Sequence, residues 1–241
     1  LLRLFRKKYI LNIDGEIFSE KKCLKNSIKK FFVRGADKYL VAGEESAKSI
    51  LNIAGNKKII PYYFSSLSSD ELKNNAETTD NKNGHVLVIG QYLDVKGMDV
   101  ALNAARMDRT IKYKFVGMGE RTDLFKEKYC PYPEENIEFI NFLKKDELEK
   151  EYRECSVFVL PSRQECWGLV INEAASFGVP VVSTWGSGAA IEFLSEKYSC
   201  FLAEPGNAED LYKRIKNLIS SDNKEYSEYL IEKSKRYCIG N

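Results

Sequence analysis

Histidine, paired cysteines and long apolar runs are scarce in this chain, and each shortage removes a class of function. One histidine, His85, stands among 241 residues. A histidine-based triad or an imidazole-built zinc site therefore lacks ligands. The six cysteines, Cys23, Cys130, Cys155, Cys166, Cys200 and Cys238, include no C-x-x-C pair. They read as free thiols in a reducing compartment, not as a disulfide frame. No apolar run approaches the roughly 20 residues of a membrane-spanning helix. Leu1-Leu2-Arg3-Leu4-Phe5 followed by Arg6-Lys7-Lys8 has neither the apolar core nor the cleavage site of a signal peptide. The lack of an initiator Met points to a piece of a longer chain.

What is present is an ordinary soluble balance, 44% hydrophobic and 30% charged, with a net charge of +2. That small net value hides an asymmetry. Residues 1–66 carry 14 Lys/Arg against 6 Asp/Glu, and the remainder 23 against 29. A basic first part and an acidic second part suggest two bodies with different partners.

The first part predicts β-α-β-α-β. Tyr9 to Ile13 is a short strand ending at Asp14-Gly15-Glu16. Leu24, Ile28, Phe31 and Phe32 recur at the helical period, with Lys21, Lys22, Lys25, Lys29, Lys30 and Arg34 on the other face. That basic face over 21–34 is either a solvated surface or a patch for anionic lipid headgroups. Lys38–Val41 is a second strand, Glu44–Ile53 a helix, and Ile59-Ile60 a third strand. Residues 67–83, rich in Ser, Asn, Asp, Glu and Lys, have linker composition.

From His85 the alternation is regular. Strands at 85–89, 113–116, 137–140, 157–160, 179–183 and 200–202 alternate with helices, among them 96–106, 121–128, 145–153, 169–177 and 208–219. This predicts a complete parallel sheet with helices on both faces, a domain over 84–220 followed by a tail helix over 221–241. Such sheets bind ligands outside the carboxyl ends of their strands.

Several segments converge on that edge. Gly90-Gln91 to Lys96-Gly97 follows the first strand of the second part, and Lys96 stands where a helix begins, placed to meet a phosphate. A surface lysine beside a capping glycine is its ordinary reading. Gly117-Met118-Gly119 follows the next strand, and a tight turn explains it equally well. Glu165 and Glu173 bracket Trp167, Gly168, Leu169 and Val170 at a helix start. Two carboxylates can accept hydrogen bonds from sugar or ribose hydroxyls while backbone N–H groups hold a diphosphate. A capping Glu and a solvated helix Glu is the plainer alternative.

Pro161-Ser162, Glu165, Gly168, Glu173-Ala174, Gly178 and Pro180-Val181 resemble the P-S-x-x-E-x-x-G-x-x-x-x-E-A-x-x-x-G-x-P-V hallmark of family 4, or group 1, glycosyltransferases. The resemblance is strong over 85–206 and looser over 9–66. It implies an α/β fold of the GT-B type, two Rossmann-like doubly wound parallel-sheet domains, the first incomplete and represented by 1–66. It also implies a retaining, metal-independent transfer of a sugar, a hexose type, from a nucleotide-diphosphate sugar, with UDP-sugar the expected donor. The acceptor would be a glycan or lipid-linked molecule in bacterial surface polysaccharide assembly.

By the same resemblance Glu165 faces the transferred sugar as the catalytic candidate. Gly90, Gln91, Lys96, Gly117, Ile140, Trp167, Gly168, Leu169, Val170 and Glu173 form the donor site. Lys96 meets the diphosphate, Glu173 the ribose, and Ile140 borders the base. There is no D-x-D metal motif, and no cofactor or nucleic-acid partner is expected. The expected location is cytoplasmic, peripheral to the inner membrane, and this stretch alone is expected to bind donor yet transfer little. Two departures stand out: Gln91 where the family often has Arg, and Asp14 or Glu16 where it often has His. They leave a non-catalytic nucleotide-sugar-binding subunit as the alternative, with a sugar-nucleotide epimerase as a third reading.

Overall fold

The computed structural model describes residues 7–14, 24–75, 84–117 and 121–239. Glu16, Lys21, Lys22, Met118, Gly119 and the 76–83 part of the expected linker lie outside the described residues. The chain divides into two compact units, Leu1–Phe64 and Ser65–Asn241.

The first unit is a three-stranded parallel sheet in the order β1 (Ile10–Ile13), β2 (Lys38–Ala42), β3 (Lys58–Tyr62). Helices α1 (Leu24–Val33) and α2 (Glu44–Ala54) connect the strands. Ile13, Val33, Tyr39, Val41, Ala47 and Ile50 form its buried core. The helix at α1 forms as the periodicity predicts, but Ile28, Phe31 and Phe32 of its apolar stripe stay exposed. Val33 at its end supplies the buried contact, and the Tyr39 hydroxyl donates to the Val33 carbonyl at 2.7 Å. The Asp14 carboxylate accepts a hydrogen bond from the Tyr62 hydroxyl at the carboxyl ends of β1 and β3.

The second unit is a six-stranded parallel sheet. Its strands are β4 (Val86–Ile89), β5 (Tyr113–Val116), β6 (Ile137–Ile140), β7 (Val157–Leu160), β8 (Val181–Thr184) and β9 (Leu202–Ala203). They run in the order β6-β5-β4-β7-β8-β9. Strands β4, β7 and β8 are buried along their whole length; the unbroken Val/Ile/Leu/Phe runs of β4 and β7 suit a sheet covered on both faces, and in β8 the buried Ser183 and Thr184 hydroxyls donate to the Leu160 and Ser162 carbonyls. The order reverses between β4 and β7, which pair directly through Val86–Val157, Leu87–Phe158 and Val88–Val159. A crevice opens at such a switch point because the connections leave it in opposite directions.

Helices α4 (Met98–Ala105), α5 (Arg121–Tyr129), α6 (Lys145–Glu154), α7 (Leu169–Ser176), α8 (Gly188–Leu194) and α9 (Ala208–Ile219) connect and cover the strands. The tail helix α10 (Lys224–Ser234) packs on α7. Buried Tyr226 donates to the Val181 carbonyl at 2.8 Å, and buried Tyr237 to Glu192 at 2.9 Å. The helix expected from Lys96 begins two residues later. Asp94–Lys96 is a 3-10 turn, and Gly97 follows at φ 65°, left-handed.

The expected linker contains a helix, α3 (Ser69–Asn75). Its polar composition hides a capping box. Glu71 accepts from the Ser68 backbone N–H at 2.7 Å and hydroxyl at 2.8 Å, while the Glu71 N–H donates back to the Ser68 hydroxyl at 3.3 Å. Buried Leu72 and Asn75 anchor the helix, and the Asn75 amide donates to the Ser176 hydroxyl at 3.0 Å. Ser68→Ala is expected to cost about 1 kcal/mol, a fall in Tm of roughly 2–4 °C for a unit of this size. Amide exchange at 69–75 should quicken together with it. Unchanged exchange there would show that packing, not the cap, forms the helix.

Candidate functional site

The site is built on three loops at the carboxyl edge of β4, β7 and β8. The β7 loop is tied to the β4 loop through one carbonyl: the Arg163 and Gln164 N–H groups donate to Val95 at 2.8 and 3.2 Å. It is tied to the β8 loop through Glu165, whose N–H donates to the Gly186 carbonyl at 2.8 Å and whose carbonyl accepts from Gly188 at 3.2 Å. Gly97 lies so close to this loop that a Cβ there would stand 2.0 Å from the Pro161 carbonyl oxygen. Only glycine fits both that contact and its left-handed φ.

The Lys96 ammonium and the Glu165 carboxylate form an ion pair across the first two loops, with 23% and 16% of their side chains exposed. The two groups expected to meet phosphate and sugar therefore meet each other. Gly168, at φ 102°, caps α7 without any side-chain acceptor. The Leu169 and Val170 amides that open the helix have no intrahelical partner and carry the positive end of the helix dipole, whereas the Ile171 N–H donates to the Gly168 carbonyl at 2.9 Å. The Trp167 side chain is buried, 4% exposed, and its indole N–H donates to Asn172 at 3.0 Å. Its carbonyl is held by the Ser187 hydroxyl at 2.9 Å and the Ala189 N–H at 2.8 Å.

Glu173, about 6 Å further along α7 than Leu169 at the helical rise, belongs to a different cluster. Its carboxylate accepts from the Ser66 hydroxyl at 3.0 Å and the Tyr152 hydroxyl at 3.1 Å. It lines a cavity of about 300 Å³ with Ser66, Leu67, Asn75, Leu148, Tyr152 and Phe177. Burial pushes the Glu173 carboxyl above the usual carboxylate range, and the hydrogen bonds from Ser66 and Tyr152 oppose that rise. The Lys145 ammonium pairs with Glu71 beside this cavity. That contact, and then the Ser68 N–H, holds the Glu71 carboxyl down at about 2.

The remaining candidates sit at strand ends. Gly90 and Gly117 extend the ladders of β4 and β5, donating to Val116 at 3.0 Å and Ile140 at 2.9 Å, and Gln91 is exposed beyond Gly90. Half-buried Ile140 ends β6. The sheet thus brings Gly90, Lys96, Glu165, Gly168 and Leu169 to the switch point, with Glu173 in the adjoining cavity. A second cavity of about 470 Å³, lined by Tyr92, Asp94, Arg121, Phe125 and Lys128 among others, contains none of the expected site residues. Residues that pattern reasoning missed are Ser66, Glu71, Lys145, Tyr152 and Arg163. Ser68-x-x-Glu71 was the available signal for the first two, because a capped helix brings its flanking residues to fixed positions.

The family model described as "Glycosyl transferases group 1" matches residues 69–237. An uncharacterized glycosyltransferase of Methanocaldococcus jannaschii is 28% identical over 237 residues, which cover 95% of this chain and 63% of that protein. The O-antigen biosynthesis glycosyltransferase WclY of Escherichia coli is 32% identical over 90 residues, 37% of this chain and 25% of its own length. Among solved structures, a glycosyltransferase from Rickettsia africae superposes with a TM-score of 0.69 over 96% of this chain and 66% of its own, at 16% identity. The chain thus spans about two thirds or less of the length of these relatives.

The Glu173 environment sets a sign for pH dependence. A carboxyl whose folded pKa is raised binds its proton more tightly in the folded protein than in the unfolded chain. Its contribution to stability therefore declines as pH rises from the unfolded value, about 4.3, through the folded one. Glu173→Gln keeps the acceptor oxygen and removes the charge. In urea titrations the variant should gain on the wild type between pH 4 and pH 7. An equal difference at both pH values would show that the carboxylate bears no burial penalty.

Proposed function

Because the chain belongs to the group 1 glycosyl transferases, we propose that its second unit holds the donor of a sugar transfer, a nucleoside-diphosphate sugar. The observation that carries this reading is the ion pair of Lys96 and Glu165 at the sheet's switch point, together with an α7 N-terminus that has no side-chain cap. Lys96 and the Leu169 and Val170 amides supply positive charge for a diphosphate. Glu173, already accepting from two hydroxyls, has the chemistry to accept from a ribose diol. Glu165, released when phosphate takes over Lys96, turns to the sugar.

The reaction in this reading is a retaining transfer. The glycosidic carbon–oxygen bond to the β-phosphate breaks, the acceptor oxygen bonds to the same carbon on the same face, and the acceptor proton passes to the leaving diphosphate. Charge develops on the departing phosphate oxygen. Groups fixed in place beforehand stabilise it most, since they need no reorganisation during the step. Lys96 and the α7 amides do this work without a metal ion. A uridine diphosphate sugar is the expected donor, and a surface-polysaccharide precursor, as the name of the Escherichia coli relative suggests, the expected acceptor. Exposed Ile28, Phe31 and Phe32 on α1, with Lys30 on the same helix and Arg34 just after it, support contact with an anionic lipid surface. None of the helices among the described residues is long and apolar enough to cross a membrane.

Exposed Gln91, in place of a second phosphate-binding cation, favours a binding subunit as the other reading. The first test is a thermal shift against uridine, guanosine and adenosine diphosphates. At 100 times Kd the bound nucleotide adds about 2.7 kcal/mol of stability. One nucleotide should produce the shift and Glu173→Ala should abolish it; a folded sample that responds to none contradicts the donor site. In the full-length protein, Glu165→Ala should lose turnover, whereas a binding subunit shows none to lose.

A further inference from the structure

Arg163 lies between the two halves of this site without belonging to either. It is the third residue of the Pro161–Glu165 loop, yet its guanidinium reaches the β4 loop on both sides of Lys96. Its Nη1 donates to the Asp94 carbonyl at 2.7 Å. Its Nη1 and Nη2 donate to the two oxygens of Asp99 at 2.8 and 2.6 Å. Asp94 opens the 3-10 turn that ends at Lys96, and Asp99 lies in the first turn of α4. The Asp99 side chain is 22% exposed and that of Arg163 30%. The first cause of the lowered Asp99 carboxyl is its hydrogen bond from Arg163.

Resting on the donor-site reading, we propose that Arg163 is the positioning residue that sets Lys96 against Glu165 by clamping the Asp94–Asp99 turn onto the β7 loop. The geometry explains why an arginine is needed. A planar fork satisfies two carboxylate oxygens and a carbonyl at once, which the point charge of a lysine cannot do. The backbone repeats the link, since the Arg163 N–H donates to Val95, the residue before Lys96, at 2.8 Å. Lys96 carries a flexible side chain of four methylenes. Fixing both ends of the turn that bears it removes backbone motion that would otherwise spread its ammonium over many positions.

The test reads Lys96 directly. The chain is treated with a limiting amine-acetylating ester, and the rate at Lys96 is compared by peptide mass spectrometry with that at exposed Lys112. Arg163→Ala should raise the Lys96 rate at least three-fold relative to Lys112, and Arg163→Lys should not restore it. Asp99→Asn, a near-isosteric change, should also raise it, and it tests the clamp if the alanine variant does not fold. In parallel, the ratio of uridine diphosphate to uridine affinity should fall about ten-fold in each variant, with uridine affinity unchanged. A wild-type Lys96 rate in a folded variant overturns the proposal, as does an equal loss of both affinities. A wild-type chain that binds no diphosphate refutes the donor reading instead, while the labelling rates still decide the role of Arg163.

Discussion

A parallel strand cannot turn back on itself: the chain must leave its carboxyl end and cross a face of the sheet before the next strand can pair. In the second unit this constraint brings every strand-to-helix loop to one edge. The order β6-β5-β4-β7-β8-β9 then makes the loops after β4 and β7 neighbours that depart in opposite directions. Everything charged at the site follows from that divergence. Lys96 is delivered by the β4 loop and Glu165 by the β7 loop, and the two meet although 69 positions separate them in sequence.

The edge is held together by backbone more than by side chains. Val95, Gly186 and Glu165 carbonyls accept from the neighbouring loop, and Gly97 lets two chain segments approach to a distance that any Cβ would prevent. Lys96 and Glu165 neutralise each other, and Glu173 sits in a cavity whose burial disfavours its charge. In the proposed reading one ligand engages both clusters, its diphosphate on Lys96 and its ribose diol on Glu173.

The alternation of strands and helices in the second unit is legible in the sequence because its central buried strands are plain apolar runs, such as Val157–Leu160 stopped by Pro161 and Val86–Ile89 stopped by Gly90. The hallmark around Pro161–Val181 likewise marks the carboxyl edge of the sheet without any knowledge of pairing. Other features are hidden for physical reasons. Helix α3 is masked by its composition: Ser68, Ser69, Asp70 and Glu71 look like linker, and only their reciprocal hydrogen bonds make them a cap. The apolar stripe of α1 has the right period, yet a period reports a helix and not which neighbour buries it, and Phe31 and Phe32 remain exposed. The partners of Glu173 are unreadable because Ser66 and Tyr152 lie 107 and 21 positions away. Arg163 reads as a loop residue until the switch point brings Asp99 beside it.

In the proposed reading donor phosphate displaces Glu165 from Lys96 while ribose occupies the Glu173 cavity. A crystal structure of the chain with a non-hydrolysable nucleoside-diphosphate sugar tests it most directly. A phosphate oxygen should lie within hydrogen-bond distance of the Lys96 ammonium, with Glu165 turned to the sugar and both ribose hydroxyls on Glu173. A nucleotide bound with the Lys96–Glu165 pair intact, or seated in the cavity beside Tyr92 and Phe125, would contradict it.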